Sequence, residues 1–161
     1  MSILRLYQMK LVENKMGENK LGFAVLLKFF QNEVRFPTYK FEVPKPVIVY
    51  IAKQIFCESE LYALYDWSGR TIKAHRIQIR EFFEFREASV QDNHEVAAWL
   101  HQYVLHHSQE WEHVKDSLYG RFRELKVEPP TPDRVERLIR SAIHTHEEQF
   151  FQTTYIHRPL K

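Results

Sequence analysis

The chain has 161 residues, 44% hydrophobic and 14% aromatic, which suffices to bury one core or two small adjoining ones. Its four glycines form neither a G-x-x-x-x-G-K-[ST] nor a G-x-G-x-x-G pattern, so nucleotide hydrolysis and dinucleotide binding are poor readings. The formal net charge is only +2, so any grip on nucleic acid must come from local concentration of charge and not from the total.

The single cysteine, Cys57, cannot close an internal disulfide and reads as a buried reduced thiol, as a reducing cytoplasm allows. No charged-then-apolar leader opens the chain, and no apolar run is long enough to span a bilayer. A cytoplasmic protein without membrane contact is expected.

In chain order, residues 1–20 are mixed and polar and read as an arm leading into a helix. The run LGFAVLLKFF at 21–30 is nearly all apolar and predicts a buried helix. Residues 37–46 hold three prolines and form a connection. The stretch VIVYIAKQIF at 47–56 starts β-branched and continues as a helix former. It is read as a helix with Pro46 at its first position, because no partner strand is evident elsewhere. Ser59 opens a short helix over 60–67, which Ser68-Gly69 breaks, and a second helix runs from about 70 to 85. Ser89 and Asp92 form a capping pattern ahead of Val96, Ala97, Leu100, Tyr103 and Val104 at helical spacing. Residues 110–125 predict another helix, with Trp111, Val114, Leu118, Phe122 and Leu125 on its apolar side. VEPP at 127–130 is a stop, and Thr131-Pro132 begins a last helix running to about Phe151.

The expected fold is all-α, with about seven to eight helices in two small helical subdomains, each holding a helix-turn-helix-like unit. The first would span 1–88, with its helix-turn-helix at about 59–85. The second would span 89–161, with its basic helix at about 131–150.

Each subdomain offers one basic helix. Residues 70–80 contain four Lys or Arg and no Asp or Glu. Ile72, His75, Ile79, Phe82 and Phe83 gather on one side of that helix and Arg70, Lys73, Arg76 and Arg80 in an adjoining arc. A short helix, a Ser-Gly break and a basic helix have the layout of a helix-turn-helix, whose second helix enters the major groove. There arginine can reach guanine, while lysine and threonine hold phosphates. The helix from Thr131 repeats the pattern: Val135, Leu138, Ile139, Ala142, Ile143 and His146 form the buried stripe, and Arg134, Arg137 and Arg140 share another face with Ser141 nearby. Asp133, Glu136, Glu147 and Glu148 accompany them. The expected double-stranded DNA contacts are Arg70, Thr71, Lys73, His75, Arg76, Arg80, Thr131, Arg134, Arg137, Arg140 and Ser141, of which Thr71 and His75 rest on the family resemblance given below.

Two rival classes stand beside this one. Nine histidines invite a metal site, but no H-E-x-x-H or Cys/His ligand spacing appears, and convergence of His101, His106, His107, His113, His144 or His146 is not expected. No metal, cofactor or catalytic residue is predicted. Asp66, Asp92, Asp116 and Asp133 read as helix-end or surface groups, not as a magnesium-binding triad. The other rival is a helical protein-interaction or dimerisation module without DNA contact, which salt dependence would separate from DNA binding.

The stretch NKLGFAVLLKFFQNEVRFP (19–37) resembles the opening of large replicative bacterial transposases of the Tn-three family. A proline-rich connector and VIVYIAKQI (47–55) follow, then Tyr65, Arg70, Thr71, His75, Ile79 and Arg80 at the family's spacing. Phe85-Arg86-x-Ala88, Trp99-Leu100 and Pro130 through Ile139 continue the match, so the resemblance covers about residues 5–150. The resemblance implies binding of the transposon's terminal inverted repeats. It implies the rest of the transposase polypeptide as partner and a homodimer of the full-length protein. It also implies a metal-dependent acidic triad far downstream and outside this chain.

Overall fold

The computed structural model describes residues 5–156. Among these the fold is all-α: eight helices and a single pairing of two-residue strands. The chain divides between residues 84 and 85 into two compact units.

The first unit holds α1 (Leu6–Glu13), α2 (Gly17–Glu33), α3 (Lys45–Gln54), α4 (Leu61–Leu64) and α5 (Arg70–Phe83). The apolar run at 21–30 forms the middle of α2. Leu21, Phe23, Ala24, Val25, Leu26, Leu27 and Phe30 are all buried there, so this helix is apolar nearly all round, as a helix enclosed by others must be. The connector carries one turn of 3-10 helix at Lys40–Glu42, pinned by the Arg35–Glu42 ion pair at 2.6 Å.

The ambiguous stretch is helical. Pro44 caps α3 and Pro46 stands second in it, one place later than predicted, where a fixed φ and a missing N–H cost nothing. Ile48, Ile51, Ala52 and Ile55 are buried at spacings of three and four, while Val47 and Tyr50 face outward. That spacing overrides the strand propensity of the β-branched residues. Cys57, expected inside, is only half-buried.

The short helix is shorter than predicted. Only 61–64 are helical, because Tyr65 turns extended, with φ −64° and ψ 122°. Three contacts impose the break. The Tyr62 hydroxyl donates to Lys40 O at 2.6 Å, the Lys40 ammonium donates to Tyr65 O at 2.7 Å, and the Tyr65 ring lies on Gly22. A Cβ at Gly22 would run into that ring, so glycine here allows a close approach of α2 to the 62–65 segment. A four-residue turn is a reduced first member for a helix-turn-helix.

The second unit holds β1 (Arg86–Glu87), α6 (Val90–Tyr103), α7 (Trp111–Glu124), β2 (Val127–Glu128) and α8 (Pro132–Ile156). Its core joins Val96, Leu100, Val104, Leu105, Val114, Leu118, Phe122, Val127, Val135, Ile139 and Ala142. The predicted capping pattern is present in full: the Ser89 hydroxyl accepts from Asp92 N at 3.1 Å, and the Asp92 carboxylate accepts from Ser89 N at 2.7 Å. Arg86 grips the same carboxylate with two hydrogen bonds of 2.6 and 2.7 Å, holding its pKa far below the usual carboxylate range. One short strand pairing, not predicted, is present. Arg86 and Glu87 pair in parallel with Val127 and Glu128, so part of the VEPP stop is a two-residue strand. Tyr103 and Leu125, expected on apolar faces, are exposed. The last helix continues to Ile156, past the predicted end near Phe151.

No helix among the described residues is long and apolar enough to cross a membrane.

Candidate nucleic-acid interface

Helix α5 begins at a turn built on Asp66. Its carboxylate accepts from Ser68 N at 3.0 Å, Ser68 Oγ at 3.1 Å and Gly69 N at 3.1 Å. The Ser68 and Gly69 bonds lower the Asp66 pKa and set the angle at which α5 starts. A Cβ at Gly69 would collide with the same carboxylate, so a larger residue there would have to displace it.

The inner face of α5 rests on Ile72, His75 and Ile79. His75 is 6% exposed. Its Nδ1 shares a 2.7 Å hydrogen bond with the Tyr65 hydroxyl, which donates when the imidazole carries its proton on Nε2. The two rings lie 7° from parallel with centroids 5.8 Å apart, and Phe23 meets His75 edge-on at 5.1 Å. Burial, aided by the nearby Lys15 charge, pushes the His75 pKa down to about 4, and burial raises the Tyr65 pKa. The sequence places His75 among the DNA contacts; in the structure the ring is buried and hydrogen-bonded to Tyr65, which anchors α5.

The outer face is basic. Arg70, Thr71 and Lys73 are exposed, and Arg76 and Arg80 are half-buried. At about 100° per residue, Arg70, Lys73, Arg76 and Arg80 fall within an arc of about 120°, while Thr71 lies on the opposite flank of the buried stripe. The Arg76 guanidinium sits over the Phe36 ring at 5.4 Å and the Trp67 ring at 5.7 Å, and that of Arg80 lies 5.9 Å from Phe36. These aromatic faces hold two cations on the flank of α5 while Arg70 and Lys73 reach solvent. Sequence reasoning misses Phe36 and Trp67. The signal available is their place beside Arg35 and Ser68, at either end of segments that lead into the unit's turns.

On α8 the pattern is weaker. Val135, Ile139, Ala142 and His146 are buried, and Thr131, Arg134, Arg137, Arg140 and Ser141 are exposed. Arg140 pairs with Glu136 at 3.6 Å and lies 5.7 Å from the Trp111 ring, and Arg137 Nε donates to Asp133 O at 3.4 Å. Residues 132–148 carry three arginines against four carboxylates, whereas residues 70–80 of α5 carry four cations and no carboxylate before Glu81.

The expectation that the histidines stay apart is corrected. His101 near the end of α6, His106 in the turn after it and His146 on α8 place one ring nitrogen each within 4.8 Å of the others. His146 is the buried member, and its pKa is lowered by burial first and by the charges of His101 and His106 next.

A family model described as a domain of unknown function (DUF4158) matches residues 8–142 of the chain. The transposase for transposon Tn1546 from Enterococcus faecium is 27% identical to it over 140 residues, which cover 84% of this chain. The chain spans 14% of the length of that relative.

Proposed function

The chain belongs to the family described as a domain of unknown function (DUF4158), and we propose that it is a double-stranded DNA-binding region of a transposase, recognising the element's terminal inverted repeats. In this reading α5 enters or borders the major groove. Arg70 and Lys73 engage phosphates or base edges, and Arg76 and Arg80, steadied on Phe36 and Trp67, extend the cationic surface along the backbone. The strand-transfer chemistry belongs to other parts of the polypeptide, as the Tn-three resemblance implies, and the rest of the transposase is the protein partner. Arg134, Arg137 and Arg140 of α8 form a second, subordinate contact, since neighbouring carboxylates offset much of their charge.

The observation that carries the reading is the acid-free stretch 70–80 of α5, with Arg70, Lys73, Arg76 and Arg80 in one arc, on a helix firmly seated by Ile72, His75 and Ile79. A solvated surface helix normally mixes its charges. Four cations without a carboxylate across three turns repel one another, and a polyanion removes that cost. Relation to a transposase makes DNA the polyanion of choice.

The test is a gel-shift titration on a duplex carrying the terminal repeat of the encoding element, beside a scrambled duplex. The Arg70→Glu, Lys73→Glu pair lies on the exposed face and is expected to abolish the shift with the helical circular dichroism unchanged. Equal affinity of the variant and the parent chain would overturn the assignment.

A further inference from the structure

In the second unit three imidazoles from distant parts of the sequence face one another. The ring centroids of His101, His106 and His146 stand 5.4, 4.9 and 4.8 Å apart, a nearly equilateral triangle. The rings are inclined to one another by 56°, 66° and 80°, so they do not stack, and one nitrogen of each lies within 4.8 Å of the others. His146 Nδ1 and His101 Nδ1 are 3.1 Å apart. Two imidazole nitrogens bound to one tetrahedral zinc at about 2.05 Å lie about 3.3 Å from each other, so this pair already has the spacing of a coordination edge.

The backbone holds each ligand in place. His101 lies in the last turn of α6, which buries Leu100 beside it. The turn that carries His106 is closed by Leu105 N on Leu100 O at 2.9 Å and by His107 N on Val104 O at 2.9 Å. His146 sits on the buried stripe of α8 with Ile139 and Ala142. The rings line an open hollow of about 230 Å³ whose other walls are Gln149, Phe150 and Thr153. The hollow gives a water, or the Gln149 amide one turn beyond His146, access to a fourth position.

We propose that His101, His106 and His146 form a three-histidine site for a divalent transition-metal ion of the zinc class, with its fourth position open to the hollow. Imidazole ligands suit zinc, cobalt, nickel and copper, and the lack of a carboxylate among the ligands disfavours magnesium and calcium. The exposed His106 closes the remaining gap by side-chain rotation. A bound ion ties the end of α6 and its following turn to the middle of α8 and so stiffens the second unit. The site stands on that unit alone and does not depend on the DNA-binding reading.

The test uses the full chain, free of any affinity tag and stripped of metal with a chelator. Calorimetric titration with Zn²⁺ and visible absorption with Co²⁺ are expected to show one ion per chain, with a Kd of about 1 μM or tighter and an intense tetrahedral cobalt spectrum. His106→Ala changes an exposed turn residue and leaves the core intact. It is expected to weaken binding about tenfold or more and to remove the rise in melting temperature that zinc gives the parent chain. His144→Ala, on the exposed face of α8, is the control and retains both. Absence of binding, several weak equivalents per chain, or unchanged affinity in His106→Ala would overturn the proposal.

Discussion

Acidification is expected to loosen the first unit through His75, in a manner that can be calculated. The free imidazole has a pKa of 6.5, and in the folded chain burial holds that of His75 at about 4. The unfolded state therefore binds a proton between these values while the folded state does not. The sign follows: stability is full above the unfolded pKa and falls as pH drops from 6.5 toward 4. The slope for one such group is about 1.4 kcal/mol per pH unit, so lowering the pH from about 7 to about 4.5 removes about 2–3 kcal/mol. His75 is 6% exposed, so solvent screening subtracts little from this. The loss falls on the hydrogen bond to Tyr65 and on the seat of α5, which carries the basic face. Trp67 is the first unit's own tryptophan, and replacing Trp99 and Trp111 by Phe makes fluorescence report on that unit in urea titrations across the pH range. The variant His75→Gln keeps a polar side chain but cannot titrate, and its stability is expected to be nearly flat over the same interval. A parent chain with no slope between pH 7 and 4.5, or a His75→Gln variant with the same slope, would refute the reasoning.

Two further perturbations probe how α5 is held. In Gly22→Ala the new methyl meets the Tyr65 ring, so the ring must move and its bond to His75 must lengthen; a decrease of about 1–3 kcal/mol is expected in urea unfolding of the first unit. Glu84 ends α5 in the left-handed region at φ 62° and is exposed, so Glu84→Gly relieves backbone strain without removing packing and is expected to stabilise by about 1 kcal/mol, seen as a higher melting temperature.

What can be read from the sequence is what local chemistry dictates. The apolar run of α2, the Ser89–Asp92 cap and the stripe of α7 each depend on residues within a few positions of one another, and each is present, the stripe through Val114, Leu118 and Phe122 but not Leu125. Helix α3 stands between two propensities, and spacing settles it: Ile48, Ile51, Ala52 and Ile55 can share a buried face only in a helix. What cannot be read depends on partners far along the chain. The short helix ends at Leu64 because Lys40 takes the carbonyl of Tyr65, across 25 positions. The strand pair is two residues long, below the length at which propensity speaks, and spans the whole of α6 and α7. The meeting of His101 and His146 crosses 45 positions. His75 shows a different failure. Its place between Ile72 and Ile79 marks it as inward-facing, yet its match to the family's motif puts it among the expected DNA contacts. Arg86, part of the motif that carries the family resemblance, is engaged with Asp92 and the cap of α6, which gives that motif a structural reason.

The basic outer face of α5 is expected to meet phosphates, and the most direct measurement is the salt dependence of duplex binding. Fluorescence anisotropy follows it for the parent chain and for the Arg70→Ala, Lys73→Ala pair. Removing one phosphate interaction should reduce the slope of log K against log salt by about 0.9, so the pair is expected to flatten it by about two. Binding that ignores salt, or an identical slope and affinity in the variant, would contradict the account.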